Sequence, residues 1–79
     1  MKFDFSNGAM KAIGKLDTKM AGRIFKGIMG LPEKGDIKPL VGYTNGSKRL
    51  QIGQYRIIFR EIDKLIYISE IGSRGDIYK

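Results

Sequence analysis

Residues 48–62 read KRLQIGQYRIIFREI, and the pattern of this stretch decides the fold. Polar and apolar residues alternate along it, and β-branched and aromatic side chains are frequent, as is typical of strands with one buried face. The alternation is interrupted by Gly53-Gln54, and a glycine in the first position of a two-residue loop favours a type II′ turn. The sequence therefore predicts a β-hairpin with strands from Lys48 to Ile52 and from Tyr55 to Ile62.

This hairpin also predicts which side chains share a face. The expected cross-strand pairs are Ile52 with Tyr55, Gln51 with Arg56, Leu50 with Ile57, and Arg49 with Ile58. One face is apolar and is expected to cover the core, with Leu50, Ile52, Tyr55, Ile57 and Phe59. The opposite face, called the arginine face below, is expected to be solvated and carries Arg49, Gln51, Arg56, Ile58 and Arg60. A row of arginines suits phosphate binding, and the alternative is charge that only keeps the sheet face in water.

A third strand is predicted from Leu65 to Ile71, after a turn at Asp63-Lys64. Its register stays open, because two sets of apolar residues compete for the core face. One set is Leu65, Tyr67 and Ile71, and the other is Ile66 and Ile68.

The N-terminal half is predicted to be helical after one short strand from Lys2 to Phe5. Ser6 or Asn7 is a suitable N-cap for a first helix that runs through Lys15. Its apolar stripe consists of Ala9, Met10, Ile13 and Leu16.

A second helix is expected to begin after Asp17, a good N-cap, and to end near Gly30, which Pro32 follows. Its apolar stripe consists of Met20, Ile24, Ile28 and Leu31. The segment from Glu33 to Asn45 is rich in turn signals and is interpreted as connecting chain. The predicted fold class is α+β in a single domain, residues 1–79. It has an N-terminal strand, a two-helix hairpin, and a three-stranded antiparallel meander forming one sheet packed on the helices.

The composition excludes several kinds of chemistry. The 79 residues include no Cys and no His, so a disulfide framework, a thiolate metal site and imidazole catalysis are all ruled out. We expect neither a metal nor a cofactor. Fifteen Lys and Arg against eight Asp and Glu give a net charge of +7, which favours a phosphate-bearing partner. No apolar run is long enough to span a membrane and no signal peptide is evident, so a soluble, cytoplasmic protein is expected.

Four segments together resemble a known family. They are LP at 31–32, IKPL at 37–40, RLQIGQYRIIF at 49–59 and IGSRGDIY at 71–78. Their order and spacing resemble the RelE/ParE superfamily of toxin-antitoxin toxins, and its RelE branch most. The resemblance covers nearly the whole chain, and the hairpin and the terminal Gly-x-Arg-x-x-x-Tyr are its most specific parts.

The resemblance implies a toxin that enters the ribosome and cuts messenger RNA there without a metal, and that a cognate antitoxin silences by wrapping its surface in a hetero-oligomer. In such enzymes the 2′-OH of one nucleotide attacks the adjacent phosphate. By matching position, the implied catalytic residues are Arg56, Arg74 and Tyr78. The implied RNA-binding residues are Arg49 and Gln51. Arg60 is included with them because it lies on the same arginine face.

The implied roles differ between these residues. Arg49 and Arg56 would clamp phosphate, and Arg74 would stabilise transition-state charge or donate a proton. Tyr78 would transfer a proton, and the alternative is a ring that only pins the C-terminal segment. Arg60 would contact RNA or merely solvate the sheet.

Three positions depart from the family pattern. Gln51 stands where many relatives have a second basic residue, Ser73 where some have His, and Val41 in a segment that is often more basic. These departures leave two alternatives open. One is a ParE-like inhibitor of DNA gyrase without nuclease activity, and the other is a nuclease-dead module that only binds an antitoxin.

Overall fold

The computed structural model describes residues 2–31, 33–39 and 46–73. Within these ranges the chain forms two helices and five strands. In chain order they are β1 (Lys2–Phe5), α1 (Asn7–Gly14), α2 (Thr18–Met29), β2 (Asp36–Pro39), β3 (Lys48–Ile52), β4 (Tyr55–Ile62) and β5 (Leu65–Ser73). The strands form one sheet in the order β1-β5-β4-β3-β2. None of the helices in the described ranges has the length and apolar character needed to cross a membrane.

Both helices begin where the sequence predicts. The Ser6 side chain accepts a hydrogen bond from the Ala9 N–H at 3.0 Å, and Asp17 accepts one from Met20 N–H at 2.7 Å. Each bond satisfies a backbone donor that the first turn of a helix leaves without a partner. The second helix ends at Met29 with Gly30 as its C-cap, as predicted.

The apolar stripe of α1 is only partly as predicted, because Met10 is 57% exposed. The residues of α1 and its end that face the core are Ala9, Ala12, Ile13 and Leu16. Met10 lies about 100° around the helix from Ala9, which puts it outside this stripe. Met10 and Ala9 are adjacent in sequence, so only one of them can lie on the stripe that Ile13 and Leu16 continue.

The β3–β4 hairpin is confirmed in every predicted pair, from Ile52 opposite Tyr55 to Arg49 opposite Ile58. The φ angle of Gly53 is +60°, whereas the φ angle of Gln54 is not positive. This combination is the one that a type II′ turn requires, and its twist matches that of the two strands.

The prediction of a three-stranded meander is wrong, because the antiparallel part of the sheet has four strands. β2 lies in the segment interpreted as connecting chain and pairs with β3, with Asp36 opposite Gln51 and Pro39 opposite Lys48. A proline is tolerated there because β2 is an edge strand in the described sheet. Ile37 is its only residue packed against the core, so the strand shows no alternating pattern.

At the other edge, β1 pairs with β5 in parallel, with Phe3 opposite Ile66 and Phe5 opposite Ile68. The sheet is therefore mixed rather than purely antiparallel. The N-terminal strand was predicted from its alternation, but its partner and direction depend on contacts with the far end of the chain.

The open register of β5 is resolved by a bulge. Phe59 lies opposite Ile68 and Ile58 lies opposite Glu70, so Ser69 is an extra residue in β5. A bulge of this kind resets the alternation of side chains along a strand. The core face of β5 therefore includes residues from both competing sets, namely Ile66, Ile68 and Ile71.

The core lies between the two helices and one face of the sheet. The helices contribute Ala9, Ile24 and Ile28, with Leu31 just beyond α2, and the sheet contributes Leu50, Ile57, Phe59, Ile66, Ile68 and Ile71. At Gly27, α2 approaches β3 so closely that a Cβ atom would overlap the Ile52 side chain. This packing leaves the opposite face of the sheet, the arginine face, uncovered by the helices.

Candidate nucleic-acid interface

The arginine face is assembled as the sequence predicts. Arg49 and Gln51 on β3, and Arg56 and Arg60 on β4, alternate with residues that face the core. Gln51 lies directly opposite Arg56. All four side chains are half-buried. The hairpin thus holds three guanidinium groups on one rigid surface.

Ile58 corrects the prediction that this face is fully solvated, because only 1% of its surface is exposed. It lies between Arg56 and Arg60 along β4 and opposite Arg49 across the hairpin. The Nε atoms of all three arginines are buried as well. The arginines therefore lie against the sheet with their stems covered, as long cationic side chains do over apolar surface.

Two of these arginines keep their charge uncompensated within the described part of the chain. Neither Arg49 nor Arg60 forms an ion pair there, and the Nε of each has no hydrogen-bond acceptor. Arginine presents a planar fork of donors that matches a phosphate group. Guanidinium groups held in a row are thus a candidate site for a phosphate ligand.

Gln51 interrupts the charge of the row. Its Nε2 donates a hydrogen bond to the Gly53 carbonyl oxygen at 3.0 Å, which ties the side chain to the hairpin turn. A neutral amide thus stands between Arg49 and Arg56 at the place where a second cation was expected from the family pattern.

Sequence reasoning missed one cation of this surface. Lys38 on β2 lies directly opposite Arg49, so it extends the row of positive charge to the sheet edge. It was missed because the segment around Pro39 gave turn signals instead of an alternating pattern. The described cations of the face are therefore Lys38, Arg49, Arg56 and Arg60, with Lys2 on the same side at the β1 edge.

β5 adds three residues to the arginine face, and none was predicted because its register was open. Tyr67 lies opposite Arg60, Glu70 opposite Ile58, and Gly72 opposite Arg56. Since Gly72 has no side chain, β5 places none directly opposite Arg56.

The Arg60 guanidinium lies over the Tyr67 ring, with Cζ 5.4 Å from the ring centroid. This is a cation–π contact between cross-strand partners. Glu70 is exposed and brings one negative charge to the middle of the face.

Arg74 and Tyr78 lie outside the described residues, as does Val41, so their predicted roles stay predictions. β5 is described as far as Ser73, one residue past Gly72, which lies opposite Arg56. In the described ranges, no three acidic side chains come together in a way that would hold a metal ion.

Solved structures share this fold. The RelB–RelE antitoxin–toxin complex from Methanococcus jannaschii contains a chain that is 26% identical, with a TM-score of 0.78 and coverage of 95% of this chain and 94% of that one. In the archaeal RelE–RelB complex from Pyrococcus horikoshii OT3, the identity is 26%, the TM-score 0.71 and the coverage 95% and 96%.

YafQ from Escherichia coli strain BL21(DE3) is 15% identical, with a TM-score of 0.71 over 99% of this chain and 98% of that one, and it shows the same fold. No protein-family model and no curated protein sequence matches the chain. The agreement in fold over nearly the whole length of each chain, with 26% identity to two RelE complexes, places this protein in the RelE-like toxin superfamily, as its motifs predicted.

Proposed function

We propose that this protein is the toxin of a type II toxin-antitoxin pair and that it cleaves messenger RNA on the ribosome. The observation that carries the proposal is the arginine face. Arg49 and Arg56 are fixed on neighbouring strands, and the position opposite Arg56 on β5 is a glycine. Arginines fixed in this way can bind the phosphates of an RNA backbone. The alternative, that they only solvate the sheet, gives their common register no role.

The likeness to RelE chains solved together with RelB supports an antitoxin protein as the partner, in a hetero-oligomeric complex. A toxin that acts on translating ribosomes works in the cytoplasm. Both the partner and the location follow from the proposed function.

The proposed reaction uses a group of the RNA itself as the nucleophile. The 2′-oxygen attacks the adjacent phosphorus while its proton is removed, and the bond from phosphorus to the 5′-oxygen of the next nucleotide breaks as that oxygen is protonated. The products are a 2′,3′-cyclic phosphate and a 5′-hydroxyl. The protein must therefore neutralise a crowded, negatively charged phosphorane and move two protons.

Arg56 is assigned the phosphorane, because it matches the arginine that the resemblance implies as catalytic, and Arg49 is assigned the neighbouring phosphate oxygens. Charge that is already in place when the transition state forms is usually the largest catalytic contribution. The β-strands meet this requirement since they fix the arginine backbones in one register. The resemblance assigns the proton steps to Arg74 and Tyr78, and the binding of flanking RNA to Gln51 and Arg60.

The test is cleavage by the purified protein on 70S ribosomes that hold a defined messenger RNA, with the cuts mapped by primer extension. Arg56→Gln should lower the cleavage rate by about 10²–10³-fold, the usual loss for one preorganised donor. Arg74→Ala should lower it as well. The matched control is Arg23→Gln, which removes the same charge from an exposed position on α2 and should leave the rate unchanged.

Absence of cleavage by the folded wild-type protein would overturn the proposal. The neutral Gln51, tied to the Gly53 carbonyl, is the observation that favours a second function without nuclease activity. Dose-dependent inhibition of DNA gyrase in a supercoiling assay would then identify a ParE-like toxin. Tight antitoxin binding with neither activity would identify a nuclease-dead module.

A further inference from the structure

The Arg60–Tyr67 pair stands apart from the rest of the arginine face. Most aromatic rings in the described part of the chain pack against the core, including Phe3, Phe5, Tyr55 and Phe59, but Tyr67 does not. Its ring lies on the arginine face, half-buried, under the Arg60 guanidinium. The fold therefore places an aromatic ring on the polar side of the sheet without using it for the core.

The pair presents a flat surface with a positive charge. A planar guanidinium over an aromatic ring leaves a stack on which a further planar group can lie. Unpaired nucleobases are recognised in this way, on aromatic rings or on guanidinium planes, with little regard to their sequence.

The charges around this end of the face are mixed. Asp4 on β1 lies directly opposite Tyr67, and Lys2, two residues earlier on the same side of the sheet, lies opposite Leu65. The Tyr67 ring itself favours a base here, because an aromatic face stacks on any base and offers no charge to a phosphate. Arg56 lies four residues from Arg60 along β4, or about 13 Å, so the two sites are separated by more than one nucleotide step.

We infer that Arg60 and Tyr67 form a stacking platform for one unpaired base of the RNA, beyond the phosphate held at Arg49 and Arg56. This inference rests on the proposed function for the identity of the RNA. It assigns Tyr67 a positioning role, since its ring would fix where the strand lies without touching the reacting atoms.

The experiment uses single-stranded 2′-O-methyl RNA, which lacks the attacking hydroxyl and is not cleaved, with one 2-aminopurine moved through the sequence. Stacking quenches the fluorescence of 2-aminopurine. The wild-type protein should quench the probe at one preferred position, and Tyr67→Leu should abolish that quenching. Tyr67→Phe keeps the ring and should therefore quench the probe as the wild type does. The Kd should weaken about tenfold in Tyr67→Leu, within the range for loss of one stacked base.

Two further variants separate stacking from charge and folding. Arg60→Lys keeps the charge but loses the plane, so it should reduce the quenching without changing the salt dependence of binding. Arg23→Gln on α2 should change neither. Thermal melts of all variants check that the fold is retained, and Arg60→Lys keeps the test decisive if Tyr67→Leu unfolds.

Equal quenching by wild type and Tyr67→Leu, or no quenching by wild type at all, would overturn the stacking platform. The two proposals fail separately. Ribosomal cleavage without Tyr67-dependent quenching would reject the platform alone, and quenching without any cleavage would reject the nuclease alone.

Discussion

The Ser6 hydroxyl donates a hydrogen bond to the Ser69 carbonyl oxygen at 2.7 Å, and it accepts one from the Ala9 N–H at 3.0 Å. The Ser6 backbone N–H donates to the Ile68 carbonyl oxygen at 2.9 Å. One serine thus ends β1, caps α1 and binds the bulge of β5. The bulge in turn decides which residues of β5 reach the core and which reach the arginine face.

Replacing this serine should cost more than loss of an ordinary helix cap. Ser6→Ala removes the cap, worth about 1 kcal/mol, and leaves the part-buried Ser69 carbonyl without its donor, for a total of about 2 kcal/mol. Asp17→Ala, the control, removes an exposed cap only and should cost about 1 kcal/mol. Urea denaturation measures both, and equal losses would show that the Ser6–Ser69 bond adds nothing.

Two glycines of α2 should respond to alanine in opposite ways. At Gly22 no atom lies within 4 Å of an added Cβ, so Gly22→Ala should raise the free energy of unfolding by about 1 kcal/mol. At Gly27 the added methyl group overlaps the Ile52 side chain, and Gly27→Ala should lower it by about 1–3 kcal/mol.

The Gly27 effect has its own internal check. Ile52→Val removes Cδ1, the atom that an alanine at Gly27 would meet first. The Gly27→Ala, Ile52→Val double variant should therefore be more stable than the sum of the two single effects implies. Simple additivity in thermal or urea unfolding would contradict the close approach of α2 to β3.

Two isoleucines on the same face of β4 should differ strongly. Ile58 is 1% exposed and Ile62 is 41% exposed. Ile58→Ala should cost about 2–5 kcal/mol, as expected for a buried large-to-small change, although the residue lies among arginines. Ile62→Ala should cost less than about 1 kcal/mol. Similar losses in urea denaturation would mean that the arginine stems do not cover Ile58.

Replacing the neutral Gln51 with a cation should strengthen RNA binding. Gln51→Lys adds a cation between Arg49 and Arg56 and removes the hydrogen bond to Gly53. RNA affinity should rise, and the slope of log K against log salt should steepen by about 0.7, the value for one added phosphate contact on a single strand. Gln51→Glu, with the opposite charge, should weaken binding. An unchanged slope in Gln51→Lys would show that RNA does not pass this point.

The parts of the fold that were predicted correctly depend on neighbours in sequence. Gly53 sets the turn, alternation sets the register of β3 and β4, and Ser6 and Asp17 start the helices. These signals are local. They also placed Arg49, Gln51, Arg56 and Arg60 on one face, which is the described part of the candidate site.

The parts that were missed depend on distant contacts. β2 is a strand because β3 lies beside it, and the bulge at Ser69 is held by Ser6 from the other end of the chain. For these two reasons Lys38 and Tyr67 were not predicted to lie on the arginine face. No local sequence pattern predicts the β2 strand or the bulge at Ser69, since both depend on tertiary packing.

The parallel pairing of β1 with β5 has a consequence for synthesis of the protein on the ribosome. Ser6 and Ser69 are 63 residues apart, so β1 has no partner in the described sheet until β5 has been made. Contacts of such long range are slow to form because a large loop must close first. During translation the nascent chain therefore lacks both the edge of its sheet and the strand that borders Arg56. The hairpin that carries Arg49, Arg56 and Arg60 is therefore complete in the nascent chain before the strand that borders Arg56 exists.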